Sequence, residues 1–268
     1  MAIAFDAVSS GAGNTGTSYT LAHTCTGTDL WLVVMAQRWG AGAIVLTATY
    51  NGVAMSQLWY VAAHKRVFGL VAPATGANNI VITSDSDPDE ILVVAASYTG
   101  VHQTTPYTDL TTDVTVTATP SISVPSAAGD VVVGGCFTAH NTSALTFTAG
   151  ADQTERVDAA GSGVNYMSTT ISDEAGAGSV THSYTVSATP FYDSDIWGVS
   201  VNPAAAAATS GAGIGRGLIN GGTNAGINAG LIRRQMAKLN EWVERKSGLW
   251  VPKDARTLVP VAIQLQGA

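Results

Sequence analysis

The sequence predicts an all-β protein: an antiparallel, jelly-roll-like β-sandwich with two similar halves, followed by a glycine-rich and short α-helical C-terminal tail. Three observations predict it. Residues 1–203 break into short segments rich in Val, Ile, Thr and aromatics, each bounded by Gly, Asn, Asp or Pro. No helix-period stretch separates those segments, which disfavours parallel βαβ units and favours antiparallel sheets. The segments also repeat weakly, at a period of about 100 residues.

The clearest strands of the first half are Thr17 to His23, Asp29 to Gln37, Ile44 to Tyr50, Gln57 to Ala62, Arg66 to Val71, Asn79 to Thr83 and Glu90 to Tyr98. The second half offers Asp113 to Ala118, Ser121 to Val124, Asp130 to Ala139, Ala144 to Ala149, Val164 to Ser172, Ser179 to Ser187 and Asp195 to Asn202. The repeat aligns GTDLWLVVMAQ with AGDVVVGGCFT, then LTATYNGVAMSQLW with LTFTAGADQTERV, then EILVVAASYTGV with DIWGVSVNPA. A jelly roll, with about eight strands per unit, suits that period. Residues 1–203 thus read as one β-sandwich region, divisible into halves 1–101 and 102–203. No linker composition appears between residues 98 and 113. One pseudo-symmetric sandwich and two tightly packed sandwiches therefore both remain open.

A boundary follows at Pro203. Residues 204–230 are an Ala/Gly-rich linker, and residues 231–268 hold an amphipathic helix and a terminal extended segment suited to docking. In Leu231 to Gly248, the residues Ile232, Met236, Leu239 and Val243 follow 4-3-4 spacing, and Trp242 widens the stripe. Glu241 and Arg245 make a favourable i,i+4 pair, and Gly248 with Pro252 stops the helix. So short a helix is not stable alone. Its stripe must bury against the sandwich, against copies of itself or against another protein. A trimer is among the assemblies open to it.

Charge divides at the same boundary. Residues 1–203 carry four Lys and Arg against sixteen Asp and Glu, a net −12. Residues 204–268 carry eight against three, a net +5. The two parts are built for different surroundings. The start lacks a basic segment followed by an apolar core, and no apolar run reaches membrane-spanning length. The expectation is a protein made in a cytosol with no membrane partner. Cys25 and Cys136 read as small buried hydrophobes rather than a redox pair.

Chemistry is sparse. No G-x-S-x-G, phosphate-loop, H-E-x-x-H or C-x-x-C pattern is present. GAGIGRG (Gly211 to Gly217) lacks the βαβ context of a dinucleotide loop, and nucleic acid is not an expected partner. The histidines His23, His64, His102, His140 and His182 are scattered, as surface or satisfied polar residues are. The run SDSDPDE is the one metal candidate: Asp85, Asp87 and Asp89 alternate, which suits Ca²⁺. The run lacks the central Gly and distal Glu of a helix-flanked calcium loop, and Asp-Pro in a short connection is already explained as a turn, so no cofactor is expected. Trp39, Trp59 and Tyr60 are candidates for a sugar-stacking platform, although core packing accounts for them as well.

The stretches TATYNGVAM (Thr47 to Met55), LVAPATGANNIVIT (Leu70 to Thr83) and ASYTGVHQTTPY (Ala96 to Tyr107) resemble a motif series in a loose group of β-sandwich proteins. That group occurs in phage genomes and among bacterial surface or secreted proteins. GADQTERVD (Gly150 to Asp158) and VSVNPA (Val199 to Ala204) extend the likeness over residues 17–204. His102 stands where the group commonly has Asp. The resemblance implies a sandwich without shared catalytic residues. GRGLINGG (Gly215 to Gly222) is similar to the glycine-rich endings of phage virion proteins. The expectation is a non-enzymatic structural component of a bacteriophage virion, of capsid-decorating, fibre or tail-appendage type. Its partners would be other capsid or tail proteins and copies of itself. The alternative is a host-recognition module that binds surface glycan.

Overall fold

A computed structural model describes residues 1–13, 16–40, 45–61, 64–161, 166–190 and 192–205. The predicted linker beyond Ala205, the helix with Ile232, Met236, Leu239, Trp242 and Val243, and the terminal segment lie outside them. The described residues are all-β and every strand pair is antiparallel, consistent with a β-sandwich.

The first half supplies β1 (Ala4–Gly13), β2 (Ser18–Cys25), β3 (Trp31–Trp39), β4 (Leu46–Tyr50), β5 (Val53–Ala54), β6 (Ser56–Val61), β7 (Lys65–Val71), β8 (Gly76–Ser84) and β9 (Glu90–Thr99). They form a five-stranded sheet, β1-β9-β3-β7-β6, and a four-stranded sheet, β2-β8-β4-β5. The second half supplies β10 (Tyr107–Thr115), β11 (Ser121–Pro125), β12 (Val131–Ala139), β13 (Phe147–Ala149), β14 (Thr154–Ala160), β15 (Met167–Ala175), β16 (Ser179–Val186) and β17 (Ser194–Val201). Its sheets are β10-β17-β12-β15-β14 and β11-β16-β13. Taken in chain order, the second pair of sheets repeats the connectivity of the first.

Three apolar clusters stack these sheets into four layers. Leu32, Val34 and Phe68 of the first five-stranded sheet pack on Leu46, Tyr50 and Ile80 of the four-stranded one. Val132, Cys136 and Ile196 pack on Val124, Phe147 and Tyr184 in the second half. Between them, the two five-stranded sheets bury their other faces against each other: Trp31, Val33, Met35 and Val94 meet Val133, Phe137, Ile171 and Trp197. Trp197 Nε1 donates to Met35 Sδ at 3.4 Å across that seam.

This layering explains two kinds of strand sequence. The outer strands β2, β11 and β16 alternate buried and exposed, since one face meets solvent. The inner strands β3, β9, β12 and β17 are buried along nearly their whole length, because each is covered on both faces. The run DLWLVVMAQ is continuous for that reason. Asn51 and Gly52 both take positive φ, 48° and 75°, as a two-residue turn between β4 and β5 requires.

Candidate functional site

Alternation along the inner strands carries polar residues to one end of the seam between the sandwiches. On β3 the inward stripe Trp31, Val33, Met35 ends in Gln37 and Trp39. On β7 Val67 is preceded by Lys65, and on β17 Trp197 is preceded by Asp195. Lys65 Nζ donates to Asp195 Oδ2, and both residues are buried. Burial pushes the Asp195 carboxyl above its ordinary value, with the Lys65 ammonium opposing. Beside this pair, Gln37 Nε2 donates to the Thr138 carbonyl at 3.1 Å, and Thr169 Oγ1 donates to Gln37 Oε1 at 3.2 Å. Each of these contacts bridges the two halves.

A cleft of about 180 Å³ opens over the same residues, with Arg38, Trp39, His64, Tyr192 and Asp193 completing its wall. The Trp39 and Tyr192 rings meet edge-on, centroids 5.0 Å apart. Arg38 is fully buried, donating through Nη2 to the Gly40 carbonyl at 2.8 Å and through Nε to His64 Nδ1 at 3.3 Å. Burial lowers the His64 pKa, and the cations Arg38, Lys65 and Arg66 lower it further. The imidazole is therefore neutral near pH 7 and accepts at Nδ1. Donors, a carboxylate and two aromatic edges suit a small polar solute. The volume is well below the roughly 300–1,000 Å³ of sites for drug-sized ligands.

Of the residues singled out in the sequence, Trp39 reaches this cleft. Trp59 lies on β6, half-buried against the seam core, and Tyr60 is exposed with the Arg66 guanidinium 4.8 Å above its ring. Asp85, Asp87 and Asp89 are exposed in the β8–β9 turn. Ser84 Oγ donates to the Ser86 carbonyl there at 2.6 Å, and the Asp89 N–H donates to the Trp39 carbonyl at 2.9 Å. Among the described residues, no three His, Cys, Asp or Glu side chains gather as a metal site. His102 and His140 cap turns, their Nδ1 atoms accepting from the Thr105 and Thr142 N–H groups at 3.1 and 3.2 Å.

Two histidine networks were hidden from sequence reasoning because their members come from different strands. His182 Nε2 contacts Ser172 Oγ at 3.2 Å while Nδ1 contacts Glu174 Oε1 at 3.2 Å. The order Ser, His, carboxylate is that of a nucleophilic triad. Yet Ser172 and His182 are both fully buried, and Ser172 Oγ is also held by Tyr184 Oη at 2.7 Å. No substrate reaches such a serine, and the set reads as a satisfied polar core. In the first half, His23 bridges Ser9 Oγ and Ser97 Oγ at 3.0 and 3.1 Å, and Ser97 donates to Asp6 Oδ2 at 2.8 Å. His23 and Ser97 are buried, while Ser9 and Asp6 are partly exposed at the edge of this network. Cys25 and Cys136 are free thiols, both buried.

The chain matches no protein-family model, no curated protein and no solved structure.

Proposed function

We propose that the chain is a non-catalytic structural component of a bacteriophage particle. The described block is displayed outward, and residues 204–268 anchor it to capsid or tail proteins or join copies of it. The observation that carries this reading is the doubled strand order. With the edge strand β6 set aside, β1-β9-β3-β7 and β2-β8-β4-β5 follow the eight-strand jelly-roll order, and with β14 set aside β10-β17-β12-β15 and β11-β16-β13 repeat seven of its positions. Jelly rolls recur in viral capsid and lectin domains, so the support is at the level of fold. The sealed Ser172–His182–Glu174 set fits a scaffold better than an enzyme. The motif resemblance over residues 17–204 points the same way. Mass spectrometry of purified particles tests the proposal: the protein is expected at stoichiometric copy number, and its absence from particles overturns it.

The cleft favours a second reading, recognition of host surface glycan. Trp39 and Tyr192 offer aromatic edges beside the partly exposed Asp193 carboxylate, a mixture suited to a sugar ring and its hydroxyls. Binding on a glycan array that is lost in Trp39→Ala and Tyr192→Ala supports it. An array without signal for the full chain ends it.

A further inference from the structure

We propose that Lys65 and Asp195 condense into an amide that joins the two sandwiches covalently. The pair sits at the end of the seam, 130 residues apart in sequence, with Lys65 Nζ against Asp195 Oδ2. Lys65 is 8% exposed and Asp195 is fully buried. Both backbones are fixed by neighbours on two sides: Lys65 pairs with Gln37 and Val61, and Asp195 with Phe137 and Val114. The amine and the carboxyl are thus held together before any reaction, which replaces a bimolecular encounter with a unimolecular step.

The surroundings favour the carboxylic acid form of Asp195. Phe137 and Trp197 occupy the same stretch of the seam, and a buried ion pair there loses much of its hydration. The second carboxyl oxygen, Asp195 Oδ1, is buried with no hydrogen-bond partner among the described residues. No second donor therefore holds the carboxylate in its charged form. Burial and the nearby Asp193 carboxylate both raise the Asp195 pKa, in the direction that favours the acid.

The step balances within the pair. A proton passes from the Lys65 ammonium to the Asp195 carboxylate, leaving an amine and a carboxylic acid. The Nζ lone pair attacks Cγ and the C–N bond forms. The C–OH bond then breaks, and the hydroxyl leaves with a proton from the nitrogen as one water molecule. No oxidant or other reactant is consumed. The cleft borders both residues and gives that water a route out. This inference does not depend on the virion or the glycan reading.

Mass spectrometry of the intact, denatured full chain tests it. The expected mass is lower than that of the sequence by one water, about 18 Da. A tryptic digest is expected to show a branched peptide joining the segment around Lys65 to the one around Asp195, with no cleavage after Lys65. Lys65→Arg keeps the charge but lacks the amine, and is expected at its full sequence mass. A full-mass wild-type chain with free peptides at both positions overturns the proposal. So does a Lys65→Arg chain that is also one water light, because the loss then arises elsewhere. If the variant does not fold, the wild-type digest alone decides.

Discussion

His23 shows what a buried polar side chain costs and contributes in this protein. Its ring is satisfied on both nitrogens by Ser9 and Ser97, yet burial lowers its pKa despite the nearby Asp6. The folded state then binds a proton less readily than the unfolded chain. Stability is therefore level above the ordinary histidine value of 6.5 and falls as pH drops through it, since the unfolded state takes up the proton first. Urea midpoints measured from pH 7.5 down to 5.5 are expected to decline, and His23→Gln is expected to decline less steeply. An equal slope in both proteins would assign the effect to another group. The sequence displayed this histidine in a strand but could not display its partners, which lie on β1 and β9.

Strands tell a similar story of partial legibility. The inner strands were readable because burial on both faces writes a continuous apolar run, as in β3 and β9. β1 was not readable as a strand. Its sequence, AFDAVSSGAG, carries little β propensity, and its glycines are there because Gly11 and Gly13 lie under the Tyr19 ring, where a side chain would collide. The predicted strand Asp113 to Ala118 is displaced: β10 begins at Tyr107, with an irregular register between Thr108 and Thr111. The role of the tandem glycines of β12 is likewise not legible in the sequence. A Cβ on Gly134 would meet His182 and the Trp197 carbonyl; one on Gly135 would overlap Met35 and the Thr170 carbonyl. Each glycine thus sets how closely β12 approaches a different layer. Gly135→Ala is expected to destabilise by about 1–3 kcal/mol through overpacking, seen as a lower melting temperature. An unchanged melting temperature would mean that the seam yields more easily than its packing implies.

At the scale of the whole molecule, the two sandwiches complete each other. Each half has a core of its own, but the second face of each five-stranded sheet is covered only by the opposite half. Trp31, Met35, Phe137 and Trp197 would be bared by separation. Residues 1–208 are therefore expected to unfold in one cooperative transition, and 1–101 or 102–203 expressed alone to aggregate, with solubility recovered on co-expression. Two resolved transitions would instead make the halves independent. The sequence displayed the repeat through Asp29 and Asp130, each leading into an inner strand, but not how the repeats face one another. The cleft was hidden for the same reason: Trp39 was visible, while Lys65 and Asp195 meet only once the sheets stack. At the opposite end of the seam, the Met1 amino group donates to the Ala204 carbonyl at 2.9 Å, and the Ala204 N–H donates to the Gly100 carbonyl at 2.7 Å. Entry and exit of the block are thus side by side, as in a cassette. Spliced into an exposed turn of an unrelated carrier, it would part the carrier's chain by no more than a hairpin does, and both proteins are expected to keep their own melting temperatures.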